Sequence, residues 1–233
     1  MLLIDVEVGK VYLCQMKRHL KHILLVGILI LLTCGNGRAQ GQVSSIPELV
    51  QSSFHAYREA ILEENGLLAS EYVSSYTLSY YDRMLFLALS ADSLQIDSLS
   101  LVDKMTILIF RGTLSPESLK AAGSGDGFIF AINHGLVSKE DIRQNELGTI
   151  FYDSTFARAP MVIKGQLSPL QLYFHLEQGT WKLDLTSLFP LTEPVIQRLV
   201  NESGMEENEF MQLLVTFTLA GEEQQNALWH PVP

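Results

Sequence analysis

Residues 169–188, PLQLYFHLEQGTWKLDLTSL, decide how this chain folds. Leu170, Leu172, Phe174 and Leu176 alternate with Gln171, Tyr173, His175 and Glu177, the period of two that marks a half-buried strand. After Gln178-Gly179 the alternation resumes, with Trp181, Leu183 and Leu185 set against Lys182, Asp184 and Thr186. A two-residue turn at Gln178-Gly179, glycine supplying positive φ, sets the register. Glu177 then faces Thr180, Leu176 faces Trp181, Phe174 faces Leu183 and Leu172 faces Leu185. Every apolar residue meets an apolar partner, and a slip of one residue breaks all the pairs together. The opposite face sets His175 against Lys182 and Tyr173 against Asp184. One face belongs to the core; the other meets water or a partner.

Just before this hairpin, Gly148–Tyr152 and Phe156–Ile163, joined by a turn at Asp153-Ser154, predict an antiparallel pair. Lys164-Gly165 and Ser168-Pro169 lead from it into the hairpin. Further upstream the patterns are helical. Ser45-Ile46-Pro47-Glu48 is a capping box with proline in the first turn, and Val50, Phe54, Tyr57 and Ile61 follow as one stripe. Asn65-Gly66 is expected to end that helix. A second helical stretch, about 67–89 with a break near Ser74-Ser75, carries Tyr72, Tyr76, Tyr80 and Tyr81. Ser100 opens another helix, in which the run Met105 to Phe110 suits a buried helix or a buried strand equally, since periodicity does not separate the two. Gly123-Ser-Gly-Asp-Gly127 has no clear strand before it and no lysine after it, so it is expected to be a flexible connector and not a phosphate loop. Phe128–Leu136 reads as a buried helix, and Ser138 to Asp141 begin another.

Beyond Leu188, Pro190 breaks the sheet and Thr192-Glu193-Pro194 caps a helix ending at Ser203-Gly204. A last helix, Glu206–Ala220, is expected to put Phe210, Leu213, Leu214 and Phe217 on one side, with Trp229 docking the tail. Helices first and an antiparallel meander after them define an α+β fold, a curved sheet packed on N-terminal helices. Residues 40–233 are expected to form one domain, of which 191–233 is a C-terminal helical extension.

Residues 1–39 carry a different signal. From Met16, the expected start, Lys17, Arg18 and Lys21 precede the apolar run Ile23–Leu32. Gly37-Arg38-Ala39 then places small residues where a signal peptide is cut, between Ala39 and Gln40. The apolar run is too short for a stable membrane span. A lipid anchor on Cys34 is the lesser alternative, because Thr33 stands where such signals use a smaller residue. Cleavage predicts an exported protein, periplasmic or secreted, with no stable span. It also removes Cys14 and Cys34, the only two cysteines, and with them any disulfide or thiol chemistry. Of the 16 Lys and Arg and 26 Asp and Glu, 11 and 24 lie after Ala39, where the net charge reaches −13. Such a surface repels phosphate backbones and excludes nucleic acid as a partner.

Tyr152-Asp-Ser-Thr-Phe-Ala157, Leu172-Tyr-Phe-His-Leu-Glu177 and Gly179-Thr-Trp-Lys-Leu-Asp184 together resemble, in that order, the nuclear transport factor 2-like superfamily. The resemblance spans about residues 47–188. The long helical region before Gln144 and the two helices after the sheet depart from it. It implies a cone-like fold with a pocket between helices and sheet, often dimeric, in enzymes such as isomerases and in non-catalytic binding modules.

Enzymes of that kind need a carboxylate base and a donor such as tyrosine inside the pocket. Asp184 and Tyr173 pair across the hairpin but sit opposite Phe174 and Trp181, away from any pocket on that side. With His175 and Lys182 they form the candidate interface, at which the resemblance implies a homodimer. Tyr57, Tyr72 and Tyr76 are the candidate pocket tyrosines, although rings at a core margin are the commoner reading. His55, His134, His175 and His230 have no neighbour at ligand spacing, so no metal or cofactor is expected and no catalytic residue is assigned. The expectation is a non-catalytic module binding a small apolar ligand or an envelope protein. An isomerase- or cyclase-like enzyme with a buried base, or a structural dimerisation domain, is the alternative.

Overall fold

The hairpin forms in the register its alternation dictates. The computed structural model describes residues 44–134, 139–219 and 228–231. The expected signal segment, with Cys14, Cys34 and the Ala39-Gln40 junction, lies outside the described residues, as do Leu136, Ser138 and Ala220. The chain runs as α1 (Ile46–Leu62), α2 (Gly66–Ser70), α3 (Ser75–Ser90), α4 (Ser93–Asp97), α5 (Leu101–Thr113), α6 (Pro116–Ala121), α7 (Asp126–Asn133) and α8 (Lys139–Arg143). Strands β1 (Asn145–Leu147), β2 (Phe151–Tyr152), β3 (Phe156–Ile163), β4 (Gln166–Glu177) and β5 (Thr180–Asp184) follow. A 3₁₀ turn (Leu185–Leu188), α9 (Phe189–Ser203) and α10 (Glu207–Leu219) come last. The fold is α+β, a curled antiparallel half-barrel with helices before it and after it.

Sheet order is β1-β3-β4-β5, with β2 also pairing β3. Glu177 pairs with Thr180, Leu176 with Trp181, His175 with Lys182, Phe174 with Leu183 and Tyr173 with Asp184. Gln178 and Gly179 both take positive φ, 52° and 82°, the combination that matches strand twist in a two-residue hairpin.

The helix expected to start at Thr192-Glu193-Pro194 begins instead at Phe189, with Pro190 in its first turn and Pro194 inside it, and three details of the sheet also depart from the sequence reading. Leu172 and Leu185 do not pair, because β5 stops at Asp184. Its carboxylate accepts from the Thr186 N–H at 3.0 Å and the Thr186 hydroxyl at 2.6 Å, and so turns the chain into the 3₁₀ segment. Leu176, expected in the core, is 38% exposed at the hairpin tip while its partner Trp181 is 3% exposed. Residues 148–150 are not in a strand. The first pairing splits into β1 and β2, which bond different parts of β3.

The sheet is tied to the helices by backbone. Between α2 and α3, Val73 forms a parallel bridge to Leu183. The Ser74 N–H donates to the Leu183 carbonyl, and the Leu183 N–H donates to Tyr72, both at 2.8 Å. Those bonds explain the break before Ser75, since these backbone groups are paired with the sheet instead of with a helix. They also cover the free edge of β5. The Glu177 carboxylate caps the start of α3 by accepting from the Ser75 N–H at 3.1 Å and hydroxyl at 3.0 Å. The Ser53 hydroxyl of α1 donates to the Trp181 carbonyl.

On the inner face of the sheet, Val50, Phe54, Tyr57 and Ile61 of α1 pack with Leu172, Phe174, Trp181 and Leu183. The run Met105–Phe110 is helix, within α5. Apart from Thr106 it is apolar because it is covered on two sides: Ile107 and Phe110 pack with α3, and Leu108 and Ile109 pack with Ile196, Val200, Met211 and Val215 of α9 and α10. In α10, Met211 and Val215 are buried and Leu213 is exposed, so the inward face is rotated from the expected one.

Polar groups fix these helices at chosen points. The Glu193 carboxylate of α9 accepts from the Leu101 and Val102 N–H groups at 2.7 and 3.0 Å, at the positive end of α5. Buried Lys104 pairs with Glu207 of α10. Buried Arg111 donates to the carbonyls of Ala88, Ala91 and Leu87 at the end of α3, and to Leu228 at 2.9 Å. Beside it Trp229 packs against both helical clusters.

Two glycine readings change. Asn65 serves two helices: its N–H closes α1 on the Ala60 carbonyl at 2.9 Å, after Glu64 at positive φ, and its side chain starts α2 by accepting from the Leu68 N–H at 3.0 Å. The Gly123–Gly127 loop is not a loose connector. Gly125 and Ser124 donate to Asp82, and Gly123 donates to Asp126. A Cβ on Gly127 would lie 2.5 Å from the Tyr81 carbonyl, so α7 and α3 touch backbone to backbone there.

Trp181→Ala is expected to lower stability by about 3–5 kcal/mol, as aromatic truncations in cores do. Gly127→Ala, which must push α7 off α3, should lose about 1–3 kcal/mol. Denaturant midpoints check both; an unchanged midpoint for either variant contradicts the packing described.

Candidate functional site

Where α1, α3 and α5 face the inner side of the sheet, packing is incomplete. A cavity of about 320 Å³ remains, at the small end of the range for ligand pockets. Phe54 and Tyr57 reach it from α1, Tyr80 and Tyr81 from α3, and Val102, Met105 and Thr106 from α5. Met161, Leu172 and Leu183 form its sheet wall, and Leu185, Leu188, Phe189 and Thr192 close the end nearest α9. Ile142 and Asn145 complete it. No Asp, Glu, His, Lys or Arg is among the described residues lining it.

Local sequence explains the wall. Leu172 and Leu183 are alternate residues of β4 and β5 on the face shared with Phe174 and Trp181. Tyr57 lies one turn beyond Phe54 in the α1 stripe. Tyr80 and Tyr81 follow Thr77 by three and four residues, which puts them on the buried side of α3 with Met84, Leu85 and Ala88.

The polar atoms fall into two groups. The Tyr80 hydroxyl lies 3.3 Å from the Thr106 hydroxyl, whose own proton goes to the Val102 carbonyl at 2.8 Å. The Thr192 hydroxyl donates to the Leu188 carbonyl at 3.1 Å. The hydroxyls of Tyr57 and Tyr81 have no hydrogen-bond partner among the described residues, yet neither is sealed in packed protein as Thr113 Oγ1 is. Both residues line the cavity. Burial pushes the Tyr57 phenol well above its ordinary value, with the charge of Tyr81 adding to the effect. Burial likewise raises Tyr80, where nearby Asp103 adds to it, and pushes Tyr81 up to about 12. All three remain neutral donors over any physiological range.

Of the three tyrosines singled out by sequence, only Tyr57 lines this cavity. Tyr72 packs against the main core, and its backbone serves the β5 edge. Tyr76 is 60% exposed, and its ring lies 5.1 Å from that of His175 on the other side of the sheet. Tyr80 and Tyr81, which stand in the same tyrosine-rich stretch, line it instead. Counting from Thr77 turns these two inward and Tyr76 outward.

The second group of candidates does assemble, on the outer face. His175 Nε2 is 3.5 Å from Asp184 Oδ2. Phe156 meets both Tyr173 and His175 at 5.4 Å between ring centres. Lys182 stands opposite His175 in register. Asp184 is 8% exposed, so it is buried by its own chain instead of solvated, and its work is to cap the 3₁₀ turn. Among the described residues no cluster of His, Cys, Asp and Glu could hold a metal ion, and no helix is long and apolar enough to cross a membrane. None of the family models, curated proteins or solved structures compared with the chain matches it.

The raised phenols set an alkaline limit on stability. Below pH 10.0, the ordinary tyrosine value, they are protonated folded or unfolded and their contribution is fully present. Above it the unfolded chain releases protons that the folded chain holds, so stability falls with rising pH. For Tyr81 the loss runs to about pH 12, where it ionises in place. Denaturant midpoints between about pH 9 and about pH 12 should fall for the wild type and fall less steeply for Tyr81→Phe. Equal slopes contradict the assignment.

Proposed function

We propose that the protein is a non-catalytic module that binds a small apolar molecule in the cavity between its helices and its sheet. The observation that carries this reading is the lining: aliphatic, methionine and aromatic side chains around about 320 Å³ of space, with no charged group among the described residues. An unfilled space of that size forgoes dispersion contacts along its walls, and a ligand restores them. An enzyme with a buried base would need a carboxylate or imidazole facing the space. Asp184, the residue best suited by sequence, is on the other face of the sheet and engaged with Thr186.

Kinship with the nuclear transport factor 2-like superfamily belongs to the same proposal. Helices packed on the inner side of a curled antiparallel sheet, with a cavity between the layers, support it. So does export, on the strength of the segment before Gln40; an exported module with such a cavity serves to hold or carry a small molecule outside the cytoplasm. A dimer through Tyr173, His175, Lys182 and Asp184 remains part of the proposal, supported by the aromatic rings gathered on that face.

The neutral dye N-phenylnaphthylamine, which fluoresces in apolar surroundings, tests the reading. The wild type should bind it, and Leu185→Trp, which fills the cavity, should weaken binding about tenfold or more, equivalent to ~1.4 kcal/mol. Asp184→Asn should leave dye affinity unchanged while lowering stability by about 1 kcal/mol through loss of its capping bonds. Binding abolished by Asp184→Asn in a folded protein, or untouched by Leu185→Trp, places the site elsewhere.

A further inference from the structure

We infer that the cavity takes an uncharged molecule whose apolar body carries a hydrogen-bond-accepting oxygen, a ketone, ester or amide carbonyl, held by the hydroxyls of Tyr57 and Tyr81. The inference rests on the binding reading above and names the chemistry of its ligand.

Tyr57 is 2% exposed and lines the cavity, yet its hydroxyl has no partner among the described residues. Hydroxyls inside proteins are almost always paired, so a cavity-wall tyrosine with no protein partner among the described residues offers its proton to a bound molecule. Tyr81, half-buried, presents a second hydroxyl with no partner among the described residues. Both side chains belong to the wall of the same cavity, one from α1 and one from α3. The other hydroxyls are already committed: Tyr80 to Thr106, Thr106 to Val102 and Thr192 to Leu188. Asn145 is half-buried, and its amide offers a donor and an acceptor alike, so it does not discriminate.

Two phenolic donors match the two lone pairs of a carbonyl oxygen. A carboxylate would bring a charge into an apolar wall with no cation among the described lining residues to meet it, and an ammonium would find no anion. A pure hydrocarbon would leave both hydroxyls as they are.

Three probes of one shape decide the matter: acetylnaphthalene, ethylnaphthalene and naphthoate, titrated by calorimetry into the wild type, Tyr57→Phe and Tyr81→Phe. The ketone should bind the wild type about tenfold or more tighter than the hydrocarbon, and naphthoate should bind weakest. Each Tyr→Phe variant should bring the ketone down toward the hydrocarbon and leave the hydrocarbon within about twofold. Melting temperatures for both variants at or above wild type show that any loss is not unfolding. Equal binding of ketone and hydrocarbon by the wild type, tightest binding of naphthoate, or a variant that weakens both neutral probes alike overturns the inference and leaves the cavity reading standing. Failure of both neutral probes to bind overturns the cavity reading and this inference with it.

Discussion

The register of one two-residue turn constrains the rest of the molecule. With Gln178 and Gly179 both at positive φ, β4 and β5 are locked so that Phe174, Leu183 and Trp181 share a face. That face receives α1. The same register presents the Leu183 backbone to residues 72–74 and the Trp181 carbonyl to Ser53, so helix docking and strand pairing are one event. A shift by one residue would do more than expose the core. It would point Tyr173, His175 and Asp184 into the space between the layers, and the cavity would become charged. Alternation therefore sets the chemistry of the site as well as the fold.

The hairpin was legible because strand periodicity and turn chemistry agree over 20 residues, and its five pairs next to the turn formed as read. The α+β order and the start of α1 were legible for the same reason, a clear period beside a clear punctuation. Reading failed where local pattern was ambiguous by nature. Met105–Phe110 has no polar face because two neighbours cover it, and nothing in the run itself records how many neighbours it will have. Leu176 and Trp181 look alike by alternation, but only tertiary cover separates an exposed hairpin tip from a buried ring. Asn65-Gly66 ends α1 as its composition suggests, but it also starts α2, and the contact that demands Gly66 is with Ile129, distant in sequence.

The site was less legible than the fold. Tyr57 sits on a clean stripe and was found. Tyr80 and Tyr81 required the phase of α3, which is blurred by four tyrosines in ten residues from Tyr72 to Tyr81. Met105, Thr106 and Phe189 could not have been found at all, because their meeting depends on α9 folding back over α5. That return is fixed by Glu193 against the first N–H groups of α5 and by Lys104 against Glu207. Specific polar anchors thus frame an apolar space. Directional bonds set helix positions that hydrophobic contact alone would let slide shut over the void.

Arg111 extends that framing to the chain's far segment. Its guanidinium meets no carboxylate among the described residues, only carbonyl oxygens, three from the end of α3 and one from Leu228. Burial lowers its pKa, so each of those oxygens matters to keeping the cation solvated. Detaching Leu228 leaves part of a buried charge bare, and unravelling the last turn of α3 does the same from the other side. The two ends are therefore joined in a single unit of local opening, and amide exchange at Leu228, Trp229 and His230 should report on the helix that carries Tyr80 and Tyr81.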